Sequence, residues 1–101
     1  MKPIKLLGLA FAASLLTSTA FAQDIKVAVA GPMTGGESAF GRQLQNGAEQ
    51  AVADLNAAGG LLGKKLALQI GDDGCDPKQA RSVAEKIASS GVPFLAGHFC
   101  S

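Results

Sequence analysis

The sequence predicts an α/β fold, a parallel sheet flanked by helices with elements in the order β-α-β-α-β. Three observations carry that expectation. The run "DIKVAVA" is rich in valine and apolar at both odd and even positions, as expected of a strand covered on both faces in a parallel sheet. Two later segments carry apolar residues at intervals of three and four, the period of an amphipathic helix. Glycine or an Asp-Pro pair separates the segments, and strand, helix, strand joined by right-handed crossovers gives parallel strands.

Ahead of these elements stands a segment outside the fold. Lys2 and Lys5 form a basic start, Leu6 to Leu16 is an uncharged apolar run too short to span a bilayer comfortably, and "TSTAFA" follows. Ala20, Phe21 and Ala22 supply the small-x-small pattern of a signal-peptidase site, so residues 1–22 read as an export signal cleaved between Ala22 and Gln23. A periplasmic or extracellular destination follows, with oxidising cysteine chemistry.

The first strand spans Ile25 to Ala30 and is stopped by Gly31 and Pro32. The loop "TGGESAF" leads to a helix from about Phe40, whose inward face carries Leu44, Ala48, Ala51, Val52 and Leu55. Gly59 and Gly60 end it near Ala58, because a left-handed C-terminal cap is strained for residues with a Cβ. The second strand covers about Lys65 to Ile70. In "DPKQARSVAEKIASSG" Asp76 caps a second helix, Pro77 suits its first position and Gln79 is placed to reach back as in a capping box. Ala80, Val83, Ala84, Ile87 and Ala88 form the inward face of that helix, Gly91 closes it, and "VPFLAG" is the third strand.

The formal net charge of +1 depends on the leader. Without Lys2 and Lys5, seven of the nine Lys and Arg remain against eight Asp and Glu, a net of minus one, so no basic patch is available for nucleic acid. Residues 23–101 suffice for one small domain with a limited core, and they contain neither Trp nor Tyr.

In an open parallel sheet, ligands bind outside the carboxyl ends of the strands. Three connections reach that edge: residues 31–39, residues 71–75, and the run beginning at Gly97. The glycine-rich "GPMTGGESAFG" lacks the dinucleotide spacing, and "GGLLGKK" lacks the Ser or Thr that follows a phosphate-loop lysine. The first loop can still receive a smaller anion such as a carboxylate, and the second reads as a helix cap followed by a turn. "GDDGCD" lacks the further oxygen ligands of a calcium loop and reads as solvated turn carboxylates, with Asp76 serving as a cap. No metal and no cofactor is expected.

Cys75 and Cys100 admit three readings. A metal site needs about four ligands, whereas the sequence offers two cysteines and the single histidine, His98. A thiol enzyme needs a base and an orienting group, and adjacency of His98 in sequence identifies neither. An even pair in an exported chain, placed just after neighbouring strands on the same edge of the sheet, favours a disulfide. Closing the loop over their separation of 25 residues contributes about 3.5 kcal/mol in the chain-entropy account.

The stretches "DIKVAVAGPMTGGESAFG", "NGAEQAVADLNAAGG", "DDGCDPKQA" and "GHFCS" together resemble the periplasmic leucine/isoleucine/valine-binding proteins, the substrate-binding components of branched-chain amino-acid ABC transporters. The resemblance runs through residues 23–101 and implies the first part of the first lobe of a type I periplasmic binding protein, a two-lobed clamp several times longer. It implies no enzyme activity, a branched-chain amino acid as ligand, an inner-membrane ABC permease as partner, and a monomer at full length. By the same resemblance Ser101 hydrogen-bonds the ligand α-carboxylate, Phe99 and Cys100 line that wall, Phe40 touches the ligand side chain, and Cys75 and Cys100 form the family's disulfide. Where relatives often carry Tyr or Trp, this chain has Phe40, which leaves the preference among Leu, Ile and Val open. The plainer roles are a packing residue at a helix start for Phe40 and a loop serine for Ser101. Related two-lobed domains that act as receptors or sensors for amides or other small polar ligands are the alternative function.

Overall fold

A computed structural model describes residues 23–100; the expected export signal, the cleavage-site Ala22 and Ser101 lie outside the described residues. The elements are β1 (Ile25–Gly31), α1 (Ser38–Ala57), β2 (Leu66–Asp72), α2 (Pro77–Ser89) and β3 (Leu95–Ala96). They form a parallel three-stranded sheet in the order β2-β1-β3. The expected order of elements and the parallel sheet are therefore present.

β1 is the central strand. It pairs with β2 along its whole length, from Ile25 opposite Leu66 to Gly31 opposite Asp72. Its pairing with β3 is limited to Ala28 with Leu95 and Val29 with Ala96. The valine-rich sequence of β1 accordingly supplies three of the buried core residues, Ala28, Val29 and Ala30. Ala28 and Ala30 pack with Ile87 of α2, and Val83, Val92 and Leu95 complete that cluster.

The third strand is much shorter than "VPFLAG" suggested. Pro93 has no N–H to give to a ladder, although the Phe94 carbonyl still accepts from Ala28 N–H at 2.9 Å. At the other end Gly97 adopts φ +120°, and a Cβ there would run into the Ala30 carbonyl. The chain turns away from the ladder at the position where the binding edge begins.

α1 starts at Ser38, two residues before the sequence reading placed it, with no side-chain cap from Glu37. Its end follows the glycine pair. Gly60 N–H donates to the Leu55 carbonyl and Gly59 N–H to that of Asn56, with both glycines at positive φ, which is the Schellman arrangement. The "GGLLGKK" segment continues as a tight turn in which Leu61 and Lys64 exchange backbone hydrogen bonds. Gly41, the one buried residue of α1, lets the first turn press against Pro32, whose carbonyl would collide with any Cβ at that position.

The inward faces are narrower than their periodicity implied. Leu44, Ala48 and Val52 are half-buried, while Ala51 and Leu55 are exposed. Val27, Leu66, Leu68, Phe94 and Ala96 share with α1 an apolar groove of about 240 Å³, which no other described residue fills. On α2, Ala80, Val83 and Ile87 turn inward and Ala84 and Ala88 stay exposed. Each helix meets the three-stranded sheet along one stripe only, so apolar residues on the flanks of the stripe find no partner among the described residues.

Asp76 caps α2 by accepting from Gln79 N–H at 2.8 Å, with Pro77 following. The other half of the expected capping box is absent. Gln79 Nε2 donates to the Asp72 carbonyl at 2.7 Å, because Asp76 N–H is already held by the Asp73 carbonyl at 2.9 Å.

Candidate functional site at the carboxyl edge of the sheet

The three strands deliver three connections to one edge, and side chains of the second connection bind the other two. Asp73 N–H continues the β1–β2 ladder by donating to the Gly31 carbonyl at 2.9 Å. Asp72 then grips the first loop. Its Oδ1 accepts from the N–H groups of Met33 (2.8 Å), Thr34 (3.2 Å) and Gly74 (3.0 Å), and its Oδ2 from the Thr34 hydroxyl at 2.6 Å. The Thr34 hydroxyl is the main reason that the Asp72 carboxyl sits below its ordinary range. Partial burial opposes that shift, and the backbone donors reinforce it.

Asp73 holds the third connection and is almost entirely buried, with 1% of its surface exposed. Its Oδ1 accepts from Cys75 N–H at 2.9 Å, and its Oδ2 lies 2.6 Å from His98 Nδ1. A carboxylate can only accept, so Nδ1 carries the proton and donates. "GDDGCD" is therefore not a set of solvated turn carboxylates. Asp72 and Asp73 are spent on tying loops together because the strand ends place backbone donors and an imidazole within their reach, and only Asp76 keeps the role expected of it.

Cys75 and Cys100 form a disulfide with a Cα–Cα separation of 5.4 Å, as the sequence reading expected. The strands that precede them are not hydrogen-bonded neighbours, however. β1 lies between β2 and β3, and the bridge closes beyond its end. Asp73, Cys75 and Cys100 bring possible donor atoms within 4.8 Å of one another, but both sulfurs are consumed in the disulfide and neither is a thiolate.

Two of the residues singled out for ligand contact meet directly. The rings of Phe40, in the first turn of α1, and Phe99, beyond β3, stack with centroids 5.1 Å apart and an interplanar angle of 13°. Each ring residue is 49% exposed, so the stack is an accessible apolar platform. Gly31, at the end of β1, lies beneath the stack: a Cβ there would stand in ordinary contact with Leu44 Cδ2 at 3.4 Å and Phe99 Cβ at 3.8 Å. Cys100 follows Phe99 and is fixed by its disulfide, while Ser101 lies outside the described residues.

The sequence reading found no partner for His98. A signal was present in the spacing, since Asp73 and His98 each stand two residues before a cysteine of the bonded pair. The exposed edge thus combines an aromatic platform, a disulfide and two carboxylate clips, an arrangement suited to holding a small molecule against a preset apolar wall.

A family model for periplasmic binding proteins matches residues 24–101. The chain belongs to the periplasmic binding protein family. It is 52% identical over 86 residues to a Leu/Ile/Val-binding protein of Citrobacter freundii, covering 85% of this chain and 23% of that protein. It is likewise 52% identical over 86 residues to a Leu/Ile/Val/Thr-binding protein of Salmonella typhimurium, covering 85% of this chain and 24% of that one. Among solved structures it resembles the branched-chain amino acid transporter substrate-binding protein of Streptococcus pneumoniae in complex with isoleucine. That likeness has a TM-score of 0.70 and 31% identity, and covers 75% of this chain and 22% of the other. The chain spans about a quarter of the length of the curated relatives it matches. As a periplasmic binding protein it shows the parallel sheet flanked by helices expected of that fold.

Proposed function

We infer that the full-length protein is the periplasmic substrate-binding component of an ABC importer, one that captures leucine, isoleucine or valine and delivers it to an inner-membrane permease. The observation that carries this reading is the exposed Phe40–Phe99 stack at the carboxyl edge, next in the chain to Cys100 and Ser101. An apolar aromatic surface can receive a branched aliphatic side chain, and a serine hydroxyl can donate to the ligand α-carboxylate, the role proposed for Ser101. Phe99 and Cys100 form the wall of the site, Phe40 meets the ligand side chain, and a second lobe closes over them. The protein acts by binding, without catalysis, and works as a monomer. Residues 1–22 direct export and are removed after Ala22.

Calorimetry on full-length protein purified from the periplasm tests this reading, with leucine, isoleucine and valine as ligands and intact mass recorded on the same sample. The expected outcome is a mature chain beginning at Gln23 that binds at least one of the three, and a Ser101→Ala variant weakened by about 1 to 3 kcal/mol with folding unchanged. Binding of small amides with no response to the branched-chain amino acids would overturn it in favour of a sensor role. An unaltered dissociation constant in Ser101→Ala would move the carboxylate site elsewhere.

A further inference from the structure

We propose that His98 is a positioning residue for the ligand wall: its bond to buried Asp73, together with the Cys75–Cys100 disulfide, brackets Phe99 and sets the direction of its ring before any ligand arrives. The inference rests on the proposed function for its ligand, and on geometry alone for the bracketing.

Phe99 lies between two anchors. On one side His98 Nδ1–H donates to Asp73 Oδ2 at 2.6 Å, and on the other Cys100 is bonded to Cys75. Both anchors end on the same short stretch of the β2–α2 connection, and Asp73 is itself fixed by its N–H on the Gly31 carbonyl and by its Oδ1 on Cys75 N–H. The β1–β3 ladder cannot perform this task, because it ends at Ala96, three residues before Phe99. A disulfide alone fixes one point and leaves the preceding chain free to rotate about it. The second anchor removes that freedom, which matters for a ring that is half-exposed and stacked on Phe40. A wall that is set in advance avoids the ordering cost on binding, so losing the anchor is expected to appear as lost affinity.

The test uses three variants of the full-length protein. In His98→Asn the amide nitrogen takes the place of Nδ1 and can still donate to Asp73. In His98→Gln it takes the place of Nε2 and cannot, and His98→Ala removes the donor. Leucine, isoleucine and valine affinities, thermal unfolding, and amide hydrogen exchange of residues 97–100 are measured for each. The expected result is that Asn stays close to wild type, whereas Gln and Ala bind about ten- to a hundred-fold more weakly and exchange faster at residues 97–100, with β1 amides unchanged. Equal losses in Asn and Ala, or wild-type affinity and exchange in Ala and Gln, would overturn the proposal. So would a loss of affinity accompanied by faster exchange throughout β1, which marks general destabilisation. If Ala does not fold, the Asn and Gln pair decides the matter. If wild type binds none of the three amino acids, the transport reading fails, and the exchange pattern at residues 97–100 still decides whether His98 positions this segment.

Discussion

Asp72 makes the stability of the first loop depend on pH. Replacing it by Ala removes the acceptor for the N–H groups of Met33, Thr34 and Gly74 and for the Thr34 hydroxyl. The two Thr34 groups are exposed and can turn to water, whereas the Met33 and Gly74 contacts are partly buried. Two partly buried donors left unpaired, at about 1 kcal/mol each, give an expected loss of about 2 kcal/mol at neutral pH. The sign of the pH effect follows from the lowered carboxyl of the folded state. A group held below its unfolded value of about 3.9 contributes stability above that pH and loses it as pH falls through the folded value. Denaturant unfolding of wild type and Asp72→Ala from pH 7 down to pH 3 measures both quantities. The midpoints are expected to differ at neutral pH with equal slopes, and the gap to narrow once the pH drops below about 4. Equal midpoints at pH 7, or a gap that does not narrow in acid, would refute the reasoning.

Two glycines of α1 predict opposite outcomes. Gly41→Ala drives a Cβ into the Pro32 carbonyl and is expected to destabilise by about 1 to 3 kcal/mol, while Gly47→Ala, whose Cβ meets nothing within 4 Å, is expected to stabilise by about 1 kcal/mol. Shifts of the same sign in thermal unfolding would contradict this account of the helix contact. Thiol titration of unreduced, denatured protein is expected to find no free thiol, and reduction to cost about 3.5 kcal/mol. Two reactive thiols per chain would remove the disulfide from the description of the edge.

What the sequence made legible was whatever depends on near neighbours in the chain. The Gly59-Gly60 cap and the Asp76-Pro77 start are local instructions, and both are obeyed. The disulfide was also readable, since compartment and cysteine parity restrict the choices, and the aromatic pair could be named by resemblance, although not its stacking. What escaped depends on distant registers. Asp72 and Asp73 look like turn carboxylates until β1 and β2 align Gly31 with Asp72, which carries Met33 and Thr34 to one aspartate and leaves the other facing His98. Apolar spacing likewise marked Leu55, Ala84 and Ala88 as inward, but how much of a helix is covered depends on the neighbours the sheet provides.

The brevity of β3 bears on how this molecule tolerates change. Because the backbone ladder to β3 stops at Ala96, the segment from Gly97 to Cys100 is held by the His98–Asp73 bond and the disulfide rather than by the sheet, and the seven-residue β1–β2 pairing does not run through it. Two separate sets of substitutions follow from that partition. Changes in the buried run Ala28 to Ala30 disturb the core, whereas changes at the half-exposed Phe99 are expected to carry little risk to folding. If Phe99 lines the ligand wall as proposed, single replacements there are expected to shift ligand preference on a sheet that stays as it is.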